Sequence, residues 1–111
     1  MRNFKELLIW KRSHALTLKI YHLTNSFTRE EMFGLTRQMR RSAYSIPTNI
    51  AEGSGRNSNA ELKHFITISS GSAAELEYQI ILAHDLGYIS EISFKELSSE
   101  INEIQKMIYT L

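Results

Sequence analysis

The chain has 111 residues, of which 42% are hydrophobic and 23% are charged, and its formal net charge is +1. This length suits one domain, and the balance of apolar and charged residues excludes a disordered or a membrane-embedded protein. The absence of cysteine excludes disulfides, thiol catalysis and thiolate zinc sites. No apolar run approaches the ~20 residues that span a bilayer and no signal-peptide core follows Met1, so we expect one cytoplasmic domain over residues 1–111.

Four helix starts are marked by capping boxes, in which a capping side chain precedes a glutamate by three residues. The boxes pair Asn3 with Glu6, Thr28 with Glu31, Ser58 with Glu61, and Ser93 with Glu96. Helix ends are predicted at Asn25, Gly53 and Gly87, because glycine suits the left-handed residue that closes a helix. Short links between long helices make neighbours antiparallel. The sequence therefore predicts an all-α fold, an antiparallel up-down-up-down four-helix bundle.

The first helix carries larger side chains at steps of three or four residues, which predicts its buried stripe. These positions are Leu7, Trp10, His14, Leu18 and Tyr21. A staple between Phe27 and Met32 is expected to support the start of the second helix.

The second helix, residues 34–53, has a buried stripe of apolar residues and a basic outer face. The stripe steps by three or four residues through Leu35, Met39, Ala43, Ile46 and Ile50. Pro47 removes one helical hydrogen bond and crowds the carbonyl of Ala43. Because the apolar stepping continues through Pro47, we favour one kinked helix; the alternative is two shorter helices meeting at Ser45.

The third helix, of about 28 residues, should reach ~42 Å against ~26 Å for the fourth, so part of it is expected to overhang the bundle. Gly71 beside small residues predicts a close helix approach. The fourth helix has the most regular apolar seam and closes the core. Some of the apolar residues left over on the third helix and its flank are expected to lie between subunits; the candidates are Ile68, Ile81, Leu82 and Tyr88.

Charge is divided unequally along the chain. Residues 1–56 hold ten Lys/Arg against four Asp/Glu, a balance of +6, whereas residues 57–111 hold three against eight, a balance of −5. One interpretation is that oppositely charged helices attract each other within the bundle. The other is a basic face for a polyanion and an acidic face for solubility or subunit contacts.

The candidate nucleic-acid-binding residues form a basic stripe on the second helix, the following loop and the start of the third helix. They are Arg37, Arg40, Arg41, Arg56 and Lys63. A stripe of cations suits a phosphate backbone. Tyr44 on the same helix is expected either to stack on a base or to lie at a surface or interface.

Signatures of enzymes and cofactor sites are incomplete in this sequence. Glu61 and His64 form one Glu-x-x-His, but di-iron bundles need two copies. Gly53-Ser54-Gly55 follows a helix and lacks the remaining residues of a phosphate loop. No G-x-S-x-G surrounds a serine. We therefore expect no catalytic residue, no metal and no cofactor.

Several separated pieces of the chain are typical of one protein family. They are Leu8-Ile9-Trp10 followed by Tyr21, the run 34–53 with the ending SIPTNIAEGSGR, Gly71-Ser72 with Ala74-Glu75-Leu76, and Asp85-Leu86-Gly87-Tyr88-Ile89. Together they resemble the bacterial family of 23S ribosomal RNA intervening-sequence proteins. The resemblance implies a four-helix bundle, a tendency to form pentamers and a gene located within insertions in 23S rRNA genes.

The chain is also similar to the accessory variability protein of diversity-generating retroelements, which is a basic pentameric barrel that engages nucleic acid and a reverse transcriptase. It departs from that relative in its near-neutral net charge of +1. The leading hypothesis is a non-enzymatic homo-oligomeric adaptor, pentameric by resemblance, that binds RNA or DNA. The alternative is a protein-interaction scaffold whose arginines pair with acidic residues of neighbouring subunits or of a protein partner.

Overall fold

The structure is a computed structural model that describes residues 3–111, and four α-helices account for most of them. Their bounds are α1 Leu8–Thr24, α2 Leu35–Ser54, α3 Asn59–Asp85 and α4 Glu91–Tyr109. Two short 3-10 turns, Phe4–Glu6 and Arg29–Glu31, precede α1 and α2. Residues 3–111 contain no strand, and the all-α prediction is confirmed.

Side-chain bonds between the helices show the direction of each neighbour. Thr24 of α1 accepts a hydrogen bond from Arg40 of α2, whereas Thr17, nearer the start of α1, bonds to Ala43, further along α2. Those two helices are therefore antiparallel. The same crossing order relates α2 to α3, and α3 to α4. Each helix contacts its chain neighbours and α1 contacts α4, as in an up-down-up-down bundle.

The core confirms the predicted stripes of α2 and most of the seam of α4. All five predicted α2 positions are buried. In α4 the buried residues are Leu97, Ile101, Ile104 and Ile108.

The predicted stripe of α1 is correct only at its first two positions, Leu7 and Trp10, which pack half-buried against the core. His14, Leu18 and Tyr21 are exposed, and the buried residues are Ile9, Ser13, Leu16, Thr17, Ile20 and Thr24. Small hydroxyl side chains occupy the core here because each one bonds to a carbonyl. The hydroxyl of Ser13 donates to Trp10 at 3.1 Å, and that of Thr24 donates to Ile20 at 2.7 Å. Burial of these polar atoms therefore leaves no donor unpaired.

One predicted helix cap is confirmed and one is displaced. The Ser58 hydroxyl accepts from the Glu61 backbone N–H at 3.1 Å at the start of α3. At the start of α4 the cap is Ser90, whose hydroxyl accepts from the N–H of Ser93 at 3.1 Å. The prediction of Ser93 as the cap was wrong, because Ser90 takes that role one turn earlier.

The other two boxes begin 3-10 turns rather than α-helices. Asn3 accepts from Lys5 N–H at 3.1 Å ahead of the first turn, and Thr28 makes no side-chain cap bond ahead of the second. The start of α2 is capped instead by the Glu31 carboxylate, which accepts from Leu35 N–H at 3.2 Å. Phe27 stacks on Tyr88 with ring centroids 5.1 Å apart, and Met32, its expected staple partner, is 47% exposed.

Pro47 lies inside one continuous helix, so two helices meeting at Ser45 can be ruled out. Proline has no N–H, and the carbonyl four residues earlier, that of Ala43, loses its helical donor. The hydroxyl of Thr17 reaches this carbonyl from α1 at 3.1 Å, in a buried position. A side chain of the neighbouring helix thus replaces the missing backbone bond.

The seam between α2 and α3 is built from small and polar side chains. Ser45 and Ser72 share a hydrogen bond of 2.8 Å, and Ser69 donates to the Ile46 carbonyl at 3.0 Å. The hydroxyl of Ser42 donates to the Glu75 carboxylate. These bonds turn the opposite face of α2, with its arginines, away from α3.

Candidate nucleic-acid interface

Three of the predicted binding residues lie around one shallow groove in the N-terminal half of α2. The groove has a volume of about 430 Å³ and lies where the end of α1, the turn before α2 and α2 itself meet. We call it the arginine groove. It is lined by Tyr21, Met32, Phe33, Thr36, Arg37, Arg40, Arg41 and Tyr44.

Arg40 is held in place by α1. Its Nε donates to the Thr24 hydroxyl at 2.9 Å, and one Nη donates to the Asn25 side-chain oxygen at 3.0 Å. Its guanidinium carbon lies 4.8 Å from the centroid of the Tyr21 ring, within the range of a cation–π interaction. Arg40 therefore joins α1 to α2 and presents a fixed positive charge to the groove.

Arg37 and Arg41 are both exposed, one helical turn apart on α2. No ion pair within residues 3–111 includes Arg37, Arg40 or Arg41. No carboxylate lines the groove either. Guanidinium groups keep their charge at any physiological pH, so this part of the surface is strongly positive.

The other two predicted residues lie at the far end of α2. Arg56 pairs with Glu52 at 3.5 Å and covers the Phe65 ring at 4.9 Å. Lys63 is exposed and lines a different groove, between the start of α3 and the end of α4. The rise of an α-helix puts Arg37 roughly 28 Å from Arg56, so the five residues do not share one local site.

Of the aromatic and apolar residues that line the groove, only Tyr44 was identified as a candidate from the sequence. Phe33 is 81% exposed, Met32 is 47% exposed and Tyr44 is 45% exposed. The sequence signal was the pair Met32-Phe33 in a polar segment, next to a helix whose core stripe was already complete. Tyr21 lacked such a signal, because only the packing of α1 on α2 brings it beside Arg40.

The residues expected between subunits divide into two groups. Leu82 and Tyr88 are half-buried against their own core, and the Tyr88 hydroxyl donates to Glu31 at 3.0 Å. Ile68 and Ile81 are exposed on α3. Only the second pair is available for a partner.

Two other kinds of site are not found in residues 3–111. This part of the chain holds no cluster of three or more His, Asp or Glu that could bind a metal. Within the same residues, no helix has both the length and the apolar character needed to cross a membrane.

A family model for the 23S rRNA-intervening sequence protein matches residues 5–110. The chain belongs to this family. A crystal structure of a protein of unknown function from the S23 ribosomal protein family of Bacteroides thetaiotaomicron is similar to this intervening-sequence protein, with a TM-score of 0.83 and 24% identity over 93% of this chain and 96% of the other. At that identity the likeness shows the fold alone. Comparison with curated proteins returns no match.

Proposed function

We propose that this intervening-sequence protein is a non-enzymatic, cytoplasmic adaptor that binds RNA or DNA and assembles as a homo-oligomer. The observation that carries the proposal is the arginine groove, where three guanidinium groups converge with no carboxylate among the lining residues. Surface arginines without acidic partners attract polyanions, and bidentate binding of phosphate oxygens suits the guanidinium fork. Nucleic acid is a polyanion that presents such oxygens continuously.

The test of binding is its salt dependence. Replacing Arg37 and Arg41 by alanine removes two exposed charges without breaking the bonds that hold Arg40. Counterion release predicts that log K falls with log salt by roughly 0.7–0.9 per phosphate contacted, so the slope should flatten by about one to two units per engaged subunit. This slope is measured by fluorescence anisotropy with labelled RNA and DNA, at salt concentrations from about 50 mM upward.

The matched control removes two charges from another face. Lys95 and Lys106 of α4 are both exposed, and their double alanine variant has the same net charge as the arginine variant. It should keep the affinity and the salt slope of wild type. Unaltered binding by a folded Arg37→Ala/Arg41→Ala variant would remove these residues from the site. If wild type bound neither RNA nor DNA at about 50 mM salt, nucleic-acid binding itself would be wrong.

Support for assembly comes from the outer face of α3. Five exposed residues at steps of three or four form a stripe of apolar and small side chains: Ile68, Gly71, Ala74, Tyr78 and Ile81. No heavy atom lies within 4 Å of a Cβ added at Gly71, so no packing inside the subunit requires this glycine. A glycine inside a helix costs ~1 kcal/mol relative to alanine. Close approach of a helix from a second copy would offset that cost.

The outer face of α1 is the complementary surface on the second copy. Its exposed stripe also has a small residue at the centre, in the series Leu8, Lys11, Ala15, Leu18 and His22. It carries basic side chains, whereas Glu75 and Asp85 flank the stripe of α3. Because α1 and α3 lie on opposite corners of the bundle, pairing them is a head-to-tail contact, which closes into a ring when the rotation permits. A ring agrees with the pentamer implied by the resemblance.

Cysteine pairs test this assembly without interference, because the chain has no cysteine of its own. Ala15→Cys and Ala74→Cys subunits, mixed and oxidised, should form disulfide-linked dimers, whereas either variant alone should not. Gly71→Ala should stabilise the monomeric fold by up to ~1 kcal/mol and weaken the oligomer seen by light scattering. A strict monomer at micromolar concentration would contradict the homo-oligomer.

A protein-interaction scaffold is the second candidate, and two observations favour it. Arg40 and Arg56 already have partners inside the subunit. The α3 stripe also suits a helix of another protein. In that case wild type should bind no nucleic acid, and the Arg37→Ala/Arg41→Ala variant should lose a protein contact instead.

A further inference from the structure

We propose that the arginine groove binds single-stranded nucleic acid by stacking one unpaired base on Tyr44 and another on Phe33 while Arg37 and Arg41 hold the adjoining phosphates. This inference rests on the proposed function and adds the kind of nucleic acid that the site accepts.

The two rings have no role inside the described part of the chain. Phe33 is 81% exposed and Tyr44 is 45% exposed, and neither ring stacks on another or takes part in a hydrogen bond within residues 3–111. Phe33 lies four residues before Arg37, and Tyr44 lies three residues after Arg41. The rings therefore flank the two exposed guanidinium groups. An alternation of rings and cations is how proteins bind bases and phosphates together.

Arg40 and Tyr21, which form the floor of the groove, are already ordered. Arg40 is held by Thr24 and Asn25 and lies over the Tyr21 ring, so its charge requires no rearrangement when a ligand enters. A preorganised charge reduces the entropy lost on binding. The mobile part of the interaction is then limited to the exposed side chains of Arg37 and Arg41.

The size and chemistry of the groove favour an unpaired strand over a duplex. Its volume of about 430 Å³ lies in the range of small-molecule sites and matches a nucleotide, the unit that an unpaired strand presents. Bases in a duplex are stacked on one another, so their faces are not available to protein rings, whereas an unpaired base presents a π-face. An acidic peptide would satisfy the arginines and leave Phe33 and Tyr44 without a planar partner.

The experiment replaces each ring by an uncharged side chain without a π-face. Phe33→Leu and Tyr44→Leu leave all charges unchanged, and both positions are exposed, so the fold should persist. Anisotropy is measured with a fluorescein-labelled 12-nucleotide oligo(dT), the matching oligo(U) and a hairpin duplex of equal charge. We expect each variant to bind the single strands about fivefold or more weakly, since stacking contributes ~1 kcal/mol or more per base, and to bind the duplex as wild type does.

The matched control is Tyr109→Leu, which removes a tyrosine that is 88% exposed at the end of α4, away from the groove. It should not change any affinity. Ultraviolet crosslinking of 5-bromouridine oligonucleotides adds a direct readout, and the crosslinked peptide should contain Tyr44 or Phe33.

The outcomes separate this inference from the function on which it rests. If the ring variants bind single strands as wild type does, while Arg37→Ala/Arg41→Ala binds more weakly, the stacking is wrong and nucleic-acid binding stands. Equal weakening for single strands and duplex also overturns the stacking. Loss of the oligomer in the ring variants would make the groove a protein contact, and absence of all binding by wild type would overturn the proposed function as well.

Discussion

The hydrogen bond between Thr17 and the Ala43 carbonyl predicts a specific coupling between two helices. Thr17→Val keeps the volume of a side chain that is 7% exposed and removes its hydroxyl. The Ala43 carbonyl then has neither the Pro47 N–H nor the Thr17 donor. An unpaired buried acceptor costs about 1–3 kcal/mol, and we expect a loss of this size in the free energy of unfolding.

Pro47→Ala provides the rescue. It restores an N–H four residues after Ala43, so the carbonyl regains its helical donor. In the Pro47→Ala background, the loss of unfolding free energy caused by Thr17→Val should therefore be smaller than in wild type by at least about 1 kcal/mol. The hydroxyl oxygen of Thr17 also lies 2.8 Å from the carbonyl oxygen of Ser13, and loss of this local bond accounts for the cost that remains. Pro47→Ala should also straighten the predicted kink of α2.

The free energy of unfolding is measured by urea denaturation, followed by circular dichroism, for wild type, Thr17→Val, Pro47→Ala and the double variant. Measurement at several protein concentrations separates stability from assembly. Thr67→Val is the control, because its exposed hydroxyl donates only to the Lys63 carbonyl within α3, at 2.9 Å. It should change stability by less than about 0.5 kcal/mol. If Thr17→Val lowers the free energy of unfolding by the same amount in wild type and in Pro47→Ala, within about 0.5 kcal/mol, the coupling is refuted.

Two further predictions concern single side chains. Ser90→Ala should lower stability by about 0.5–2 kcal/mol in thermal unfolding, and Ser93→Ala by clearly less, because Ser90 is the residue whose hydroxyl caps α4; the reverse order would restore Ser93 as the cap. Arg40→Ala should lower the melting temperature whereas Arg37→Ala should not, because only Arg40 bonds to Thr24 and Asn25; equal melting temperatures would contradict this structural role.

The amphipathic period of α2 and α4 was sufficient to predict their apolar core positions, because each helix has an apolar stripe that is complete without the buried hydroxyls of α2, those of Thr36, Ser42 and Ser54. The same method failed for α1, where Ser13 and Thr17 are buried and Leu18 is exposed. A hydropathy scale treats Ser and Thr as polar and predicts them to be exposed, although a hydroxyl that donates to a backbone carbonyl can be buried. The arginines of the candidate site could be predicted as one cluster on α2. Tyr44 could be predicted beside them because it lies on the same helix, whereas Tyr21 could not, since it reaches the groove only through the packing of α1 on α2.

The packing contacts between the helices of this bundle differ in extent. The contact of α2 with α3 is the most extensive, and the closing contact of α1 with α4 is the smallest of the interhelical contacts. Amide hydrogen exchange should therefore be slowest in α2 and α3, which form a persistent hairpin, and faster where α1 and α4 separate in partial openings. Since Arg40 is tied to the end of α1, such an opening would release its guanidinium and alter the charged surface before the protein unfolds.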